Sequence, residues 1–167
     1  MPNEFSFDVV SDFDRQEVVN AIDQALREIT TRYDLKDTGS TVALEANTIK
    51  LASASDMSLE AVRGVLLGKA ARRGLSTKLF DFGKVEEAAK GTVRQTVTLR
   101  KGINQELARE ITRLIRDRLP KLKTQVQGDA VRITGKSKDE LQAAIKEVRA
   151  AEQERSWPTP IQFTNYR

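Results

Sequence analysis

The chain has 167 residues, a formal net charge of +4, no cysteine and no histidine. Without these residue types it can form no disulfide and has no thiol nucleophile, imidazole acid–base group or common zinc site. No serine-nucleophile motif replaces them, so we expect no enzymatic activity, catalytic residue, metal site or cofactor. No segment approaches the ~18 apolar residues of a membrane-spanning helix, and the first residues lack a secretory signal pattern. We therefore expect a soluble cytoplasmic protein with no membrane partner.

The charge is divided unequally along the chain. Residues 1–90 carry 12 Lys and Arg against 15 Asp and Glu, a net charge of −3, whereas residues 91–167 carry 16 against 9, a net charge of +7. Concentrated positive charge favours a phosphate-bearing partner for the second half, although a solvated basic surface explains it equally well.

The second half of the chain repeats the pattern of the first. A shift of 82 positions aligns residues 49–59 with 131–141, and a shift of 89 aligns 18–26 with 107–115. The difference of seven positions is a longer loop in the first copy, at residues 33–40. Such a duplication predicts two domains of about 80 residues each. We place them at residues 1–91 and 92–167.

The first copy predicts a strand, a helix, a hairpin, a second helix and a short closing strand. Asp14 and Glu17 mark the start of the first helix, and the apolar stripe at helical spacing marks its buried side. The hairpin strands are predicted at Thr41–Ala46 and Thr48–Ser53, with the turn near Asn47. The second helix carries Leu59, Val62, Leu66 and Ala70.

The second copy follows the same order. Alternation of apolar and polar residues predicts a strand from Val93 to Leu99. Apolar residues at helical spacing then predict a helix that ends at Pro120, and two short strands follow across the turn at Gly128-Asp129. Ser137 and Glu140 form the pattern of a capping box at the start of the last helix.

These elements define the predicted fold class, which is α+β. Four helices with single apolar stripes each cover one side of a sheet and leave its other side open. The order of elements predicts two ferredoxin-like (RNP-like) βαββαβ sandwiches in tandem. The open sheet faces are therefore the expected place for function.

The open face of the second sheet is predicted to be basic and rich in amides. If Val126, Val131 and Ile133 face the helices, alternation directs polar residues outward. These residues are Lys123, Gln125, Gln127, Arg132 and Thr134, together with Arg94, Thr96, Thr98 and Arg100 of the strand that precedes them in the chain. Arginine pairs with phosphates and guanine edges, and glutamine with base edges. Ordinary solvent-facing strand residues are an equally good explanation.

Two other patterns have a functional and a structural interpretation. The same topology occurs in single-stranded RNA-binding domains, but the exposed stacking aromatics of their central strands are missing. Phe5, Phe7, Phe163 and Tyr166 are better explained by packing. Gly135 and Lys136 precede a helix start that could hold an anion, yet a turn followed by a Ser137 cap explains the same residues.

Six segments closely resemble motifs of the bacterial YajQ family, in the same order over nearly the whole chain. They are residues 6–11 (SFDVVS), 32–35 (RYDL), 99–103 (LRKGI), 126–129 (VQGD), 131–136 (VRITGK) and 162–167 (QFTNYR). The resemblance implies two ferredoxin-like domains that exchange their first strands. Residues 5–10 would then join the second sheet, and residues 93–99 the first.

The resemblance also implies a function. Family members are described as nucleotide-binding proteins, and some as non-catalytic receptors for the second messenger cyclic di-GMP. We therefore expect a signalling receptor for cyclic di-GMP or another guanine nucleotide. The expected nucleotide-binding residues are Arg100, Lys101, Gln127, Arg132, Lys136 and Arg167.

Two further partners are possible from the sequence. An RNA or tRNA could use the same basic face, since phosphates would contact the same cations. An acidic protein effector could instead dock on the basic helices, although solvated helix backs are the more ordinary interpretation. The helix residues concerned are Arg109, Arg113, Arg116, Lys138, Lys146 and Arg149.

Overall fold

A computed structural model describes residues 4–167 of the chain, so the first three residues of the predicted 1–91 domain lie outside the described part. Residues 4–167 form an α+β structure of four helices and nine strands. The helices are α1 (Arg15–Thr31), α2 (Asp56–Arg72), α3 (Gln105–Arg118) and α4 (Lys138–Glu154). The strands are β1 (Phe5–Val10), β2 (Thr41–Glu45), β3 (Thr48–Ser53), β4 (Phe80–Phe82), β5 (Glu86–Glu87), β6 (Val93–Leu99), β7 (Lys123–Gln127), β8 (Ala130–Gly135) and β9 (Gln162–Thr164).

The strands form two antiparallel sheets. The order is β7-β8-β1-β9 in the first, named here the β1 sheet. It is β2-β3-β6-β4 in the second, the β6 sheet, where β5 also pairs with β6. β1 runs along β8, with Phe5 opposite Gly135 and Val9 opposite Val131. β6 runs along β3 in the other sheet.

The first strand of each sequence copy thus lies beside the hairpin of the other copy. The alternation of polar residues alone groups β6 with β7 and β8 in one sheet. This placement is wrong, because β6 lies between β3 and β4. Strands that follow each other in the chain usually pair, as β2 with β3 and β7 with β8 do here, but β1 does not pair with β2, nor β6 with β7.

The compact units of the structure differ from the sequence repeats. One unit is Phe13–Arg100, and the other joins the described residues up to Asp12 with Lys101–Arg167. Each has its own apolar core, and the core of the first unit runs from Val18 to Leu99 in sequence. The repeat boundary between residues 91 and 92 falls inside the Phe13–Arg100 unit.

Helices α1 and α4 begin at the predicted caps, Asp14 and Ser137, and one bond of the α4 cap differs from the prediction. Ser137 caps α4 by accepting a hydrogen bond from the Glu140 backbone N–H at 3.1 Å. The Glu140 carboxylate accepts from the backbone N–H of Lys136 at 3.2 Å, not from that of Ser137. The predicted capping box is therefore half confirmed.

In the β1 sheet, α3 and α4 pack on one face. Phe7, Val9, Val131 and Ile133 point toward these helices and are fully buried. Val126 lies opposite Val131 and so faces the same side, but it is half exposed because β7 is an edge strand. The alternate residues of the same strands form the opposite face, which we call the open face.

Candidate functional site

The open face is built from rows of residues on neighbouring strands. Directly opposed residues of antiparallel strands project to the same side. The central row runs Gln125, Arg132, Asp8, Thr164 across β7, β8, β1 and β9. A second row contains Lys123, Thr134 and Ser6. Beyond the central row, Gln127 pairs with Ala130, and Val10 pairs with Gln162. The polar residues predicted from β7 and β8 therefore share one face.

Asp8 and Arg132 form an ion pair in the middle of this face. Arg132 Nε donates to Asp8 Oδ1 at 2.9 Å, and Nη2 donates to Oδ2 at 3.3 Å. Both side chains are largely buried, at 13% exposure for Asp8 and 26% for Arg132. The hydrogen bond from Arg132 lowers the pKa of Asp8, and the same bond raises the pKa of Arg132. Two of the five guanidinium N–H groups are used in this pair, so the others can contact a ligand.

The chain after β9 contains a bulge, which determines the side of the sheet on which the Tyr166 and Arg167 side chains lie. Thr164 is opposite Asp8, yet Ser6 exchanges both backbone hydrogen bonds with Arg167. One extra residue thus lies between these two pairs on the β9 side. Asn165 has a φ of +58°, and its amide donates to Asp8 Oδ2 at 2.9 Å.

The bulge separates the last two side chains. Arg167 stands opposite Ser6 and therefore on the open face, where its charge also contributes to the lowered pKa of Asp8. Tyr166 is directed to the helix side, where its ring stacks on Phe7 with a centroid distance of 6.0 Å. Without the extra residue, alternation would place Tyr166 opposite Ser6 instead.

The charge of the open face is mainly positive. Among its described residues, the cations are Lys123, Arg132, Arg167 and, one residue beyond β8, Lys136. The carboxylates are Asp8, in the rows given above, and Glu4, which lies one residue before β1 on the side of Lys136 by the same alternation. The face can therefore attract an anion, while the amides of Gln125 and Gln127 can donate and accept hydrogen bonds beside it.

The backbone before α4 is less suited to an anion. Glu140 already fills the position in front of the Lys136 N–H, at 3.2 Å. Ser137 caps the helix in the ordinary way. The turn-and-cap interpretation of Gly135 and Ser137 therefore describes the geometry, and the Lys136 side chain is what can contribute to binding.

The six expected binding residues do not all come together. Arg132 and Arg167 lie near each other around Asp8, and Gln127 and Lys136 lie at opposite ends of the same sheet. Lys101 lies near the β7–β8 turn, because Ile103, two residues later, donates a backbone hydrogen bond to the Asp129 carbonyl. Its ammonium is 3.8 Å from Asp12 Oδ1.

Arg100 belongs to the other unit and is not part of the open face. Its guanidinium donates to the backbone oxygen of Lys78 at 3.1 Å and lies 3.4 Å from Asp81 Oδ1. Sequence reasoning missed Asp8 and Asn165, which position Arg132 and Arg167. The alternation of Asp8 with the apolar Phe7 and Val9 was the available signal for the first of them.

The fold and this face define an α+β protein with an open, largely cationic sheet surface. The model of the family described as "Nucleotide-binding protein YajQ-like" matches residues 5–167. A nucleotide-binding protein of Chloroflexus aggregans is 57% identical over the full length of both chains. One from Picosynechococcus sp. is 57% identical over 97% of each chain, and one from Nostoc punctiforme is 51% identical over both full lengths.

The chain therefore belongs to the YajQ-like family of nucleotide-binding proteins. Within residues 4–167, no helix is both long enough and apolar enough to cross a membrane.

Proposed function

We propose that this protein is a cytoplasmic, non-enzymatic receptor that binds cyclic di-GMP or a related guanine nucleotide on the open face of the β1 sheet. We also propose that each unit is a ferredoxin-like sandwich, since each packs two helices on an antiparallel sheet. Family membership supports nucleotide binding in general. The observation that carries the specific proposal is the convergence of Arg132 and Arg167 on one open face.

The chemistry of this pair suits a guanine nucleotide. An arginine fork matches two phosphate oxygens, or the O6 and N7 atoms of guanine. Asp8 holds the Arg132 guanidinium in a fixed orientation, so less side-chain freedom is lost when a ligand binds. Arg167 is exposed and held at its backbone by Ser6, which places a second cation on the same surface.

Calorimetry tests the proposal directly. We expect cyclic di-GMP to release or absorb heat at micromolar protein, and Arg167→Ala to weaken binding by about tenfold or more, because a good arginine contact contributes ~1–3 kcal/mol. Arg116→Ala is the matched control, since it removes an exposed arginine of α3 and leaves the open face intact. No heat from the wild-type chain with any guanine nucleotide would overturn the proposal.

RNA is the alternative ligand, favoured by the spread of cations from Lys123 on β7 to Arg167 beside β1. The aromatic rings Phe7, Phe163 and Tyr166 lie on the helix side, so base stacking on the open face has no platform there. Salt dependence separates the two ligands. A cyclic dinucleotide with two phosphates should lose little affinity with salt, whereas an RNA with six or more phosphate contacts should lose ~10³-fold over a fourfold rise.

A further inference from the structure

An apolar recess lies on the helix side of β1, beside the carboxyl-terminal residues. Its volume is about 380 Å³. It is lined by Phe5, Ser6, Lys138, Leu141, Gln142, Ile145, Tyr166 and Arg167. Leu141 and Ile145 of α4 supply aliphatic groups, and Phe5 and Tyr166 supply rings. This volume is at the lower end of the ~300–1,000 Å³ typical of small-molecule sites, so it suits one ring system.

The rim of the recess carries positive charge. Lys138 and Arg167 are the lining residues with charged side chains, and no Asp or Glu lines it among residues 4–167. The Lys138 ammonium is 5.6 Å from the centre of the Phe5 ring, at the distance of a cation–π contact. An occupant with an apolar ring and a negative charge therefore complements both the walls and the rim.

Tyr166 offers an exposed aromatic ring to a ligand in the recess. One face of its ring stacks on Phe7, yet 59% of the residue is exposed. Nucleic-acid bases stack on exposed aromatic rings of this kind. The Asn165 bulge is the feature that directs this ring into the recess.

Arg167 connects the recess with the open face. It lines the recess and also stands opposite Ser6 on the open face. A ligand with a ring in the recess would therefore place its negative groups beside this guanidinium.

We propose that the recess is the base-binding subsite of the nucleotide receptor. A purine ring lies against Tyr166, Leu141 and Ile145, and its phosphate pairs with Arg167 and Lys138. This inference rests on the proposed function, and it adds which part of the ligand enters the protein. The second half of a cyclic dinucleotide would then extend over the edge toward Arg132.

Methyl NMR of the full chain tests this placement with GMP and cyclic di-GMP as ligands. Ring currents of a stacked purine should shift the Ile145 δ1 and Leu141 methyl signals. The Ile111 δ1 methyl is the control, because it is fully buried in the same core and does not line the recess.

Affinity variants give the second measurement. We expect Tyr166→Ala to weaken binding by about tenfold, whereas Tyr166→Phe should retain wild-type affinity because it keeps the stacking ring. Thermal unfolding of both variants controls for folding, as Tyr166 also contacts Phe7.

The outcomes distinguish the two proposals. Binding heat with unmoved Ile145 and Leu141 methyls, and with unchanged affinity for Tyr166→Ala, overturns the subsite and leaves the receptor function standing. No heat from the wild-type chain with any of these nucleotides overturns both.

Discussion

The exchange of first strands predicts that a fragment cut at the boundary of the sequence repeat will not fold. A fragment cut at the boundaries of the compact unit should fold. Cutting the chain after Gly91 gives residues 1–91, the first sequence repeat. This fragment lacks β6, which pairs with β3 over six residues and contributes Val93, Val97 and Leu99 to the core at 7%, 0% and 3% exposure. It retains β1, whose partner strands β8 and β9 are missing from it.

The burial energy lost with β6 can be compared with the total unfolding free energy of a small domain. Burying one Val or Leu side chain contributes ~1.5–3 kcal/mol, so the three residues of β6 contribute ~5–9 kcal/mol. The total unfolding free energy of a domain is ~5–15 kcal/mol. Fragment 1–91 should therefore be unfolded or nearly so.

Fragment 13–100 is the matched control, because it is nearly equal in length and contains the whole of its core and all strands of the β6 sheet. We expect a cooperative thermal transition by circular dichroism for 13–100 and none for 1–91. Equal cooperative transitions for the two fragments would refute the reasoning, since β6 would then not be needed.

Two further predictions concern single residues. The hydrogen bond from Arg132 lowers the pKa of Asp8 in the folded state below its ordinary value of 3.8. The ion pair therefore stabilises the protein fully at pH values above 3.8. This contribution is lost as the pH falls through the lower pKa of the folded state. Urea unfolding should show Asp8→Asn to be less stable than wild type at pH 7, and this difference in unfolding free energy should shrink below pH 3.8. A difference that does not change with pH would contradict the reasoning. Gly102 has a φ of +86° and an added Cβ would lie 2.7 Å from Asp129 Oδ2, whereas Gly74 has a φ of +79° with open space around it. Gly74→Ala should cost ~1–2 kcal/mol from the backbone alone. Gly102→Ala should cost about the same, because the Asp129 carboxylate is the end of an exposed side chain and can turn away from the added Cβ. A much larger loss for Gly102→Ala in urea unfolding would contradict this.

The sequence was most informative where a pattern is local. The apolar stripe of α3 and the Gly128-Asp129 turn both lie within a few residues, and the structure contains the predicted helix and hairpin. The cap of α4 was only half predicted, because the Glu140 carboxylate can accept from either of two neighbouring N–H groups.

The centre of the candidate site depended on distant pairing. Asp8 and Arg132 are 124 positions apart, and alternation within each strand does not tell which sheet the strand joins. That information came from the family resemblance. The Asn165 bulge was not visible either, since one extra residue near the end of a three-residue strand leaves no periodic signal.

The strand exchange also means that β1 must wait for its partner strand while the chain is synthesised on the ribosome. β1 emerges first, but its partner β8 ends about 125 residues later. At ~5–20 residues per second, Phe7 and Val9 are made ~6–25 s before β8, the strand that pairs with theirs. The Phe13–Arg100 unit is complete within that interval. The first strand to leave the ribosome is thus among the last to be paired.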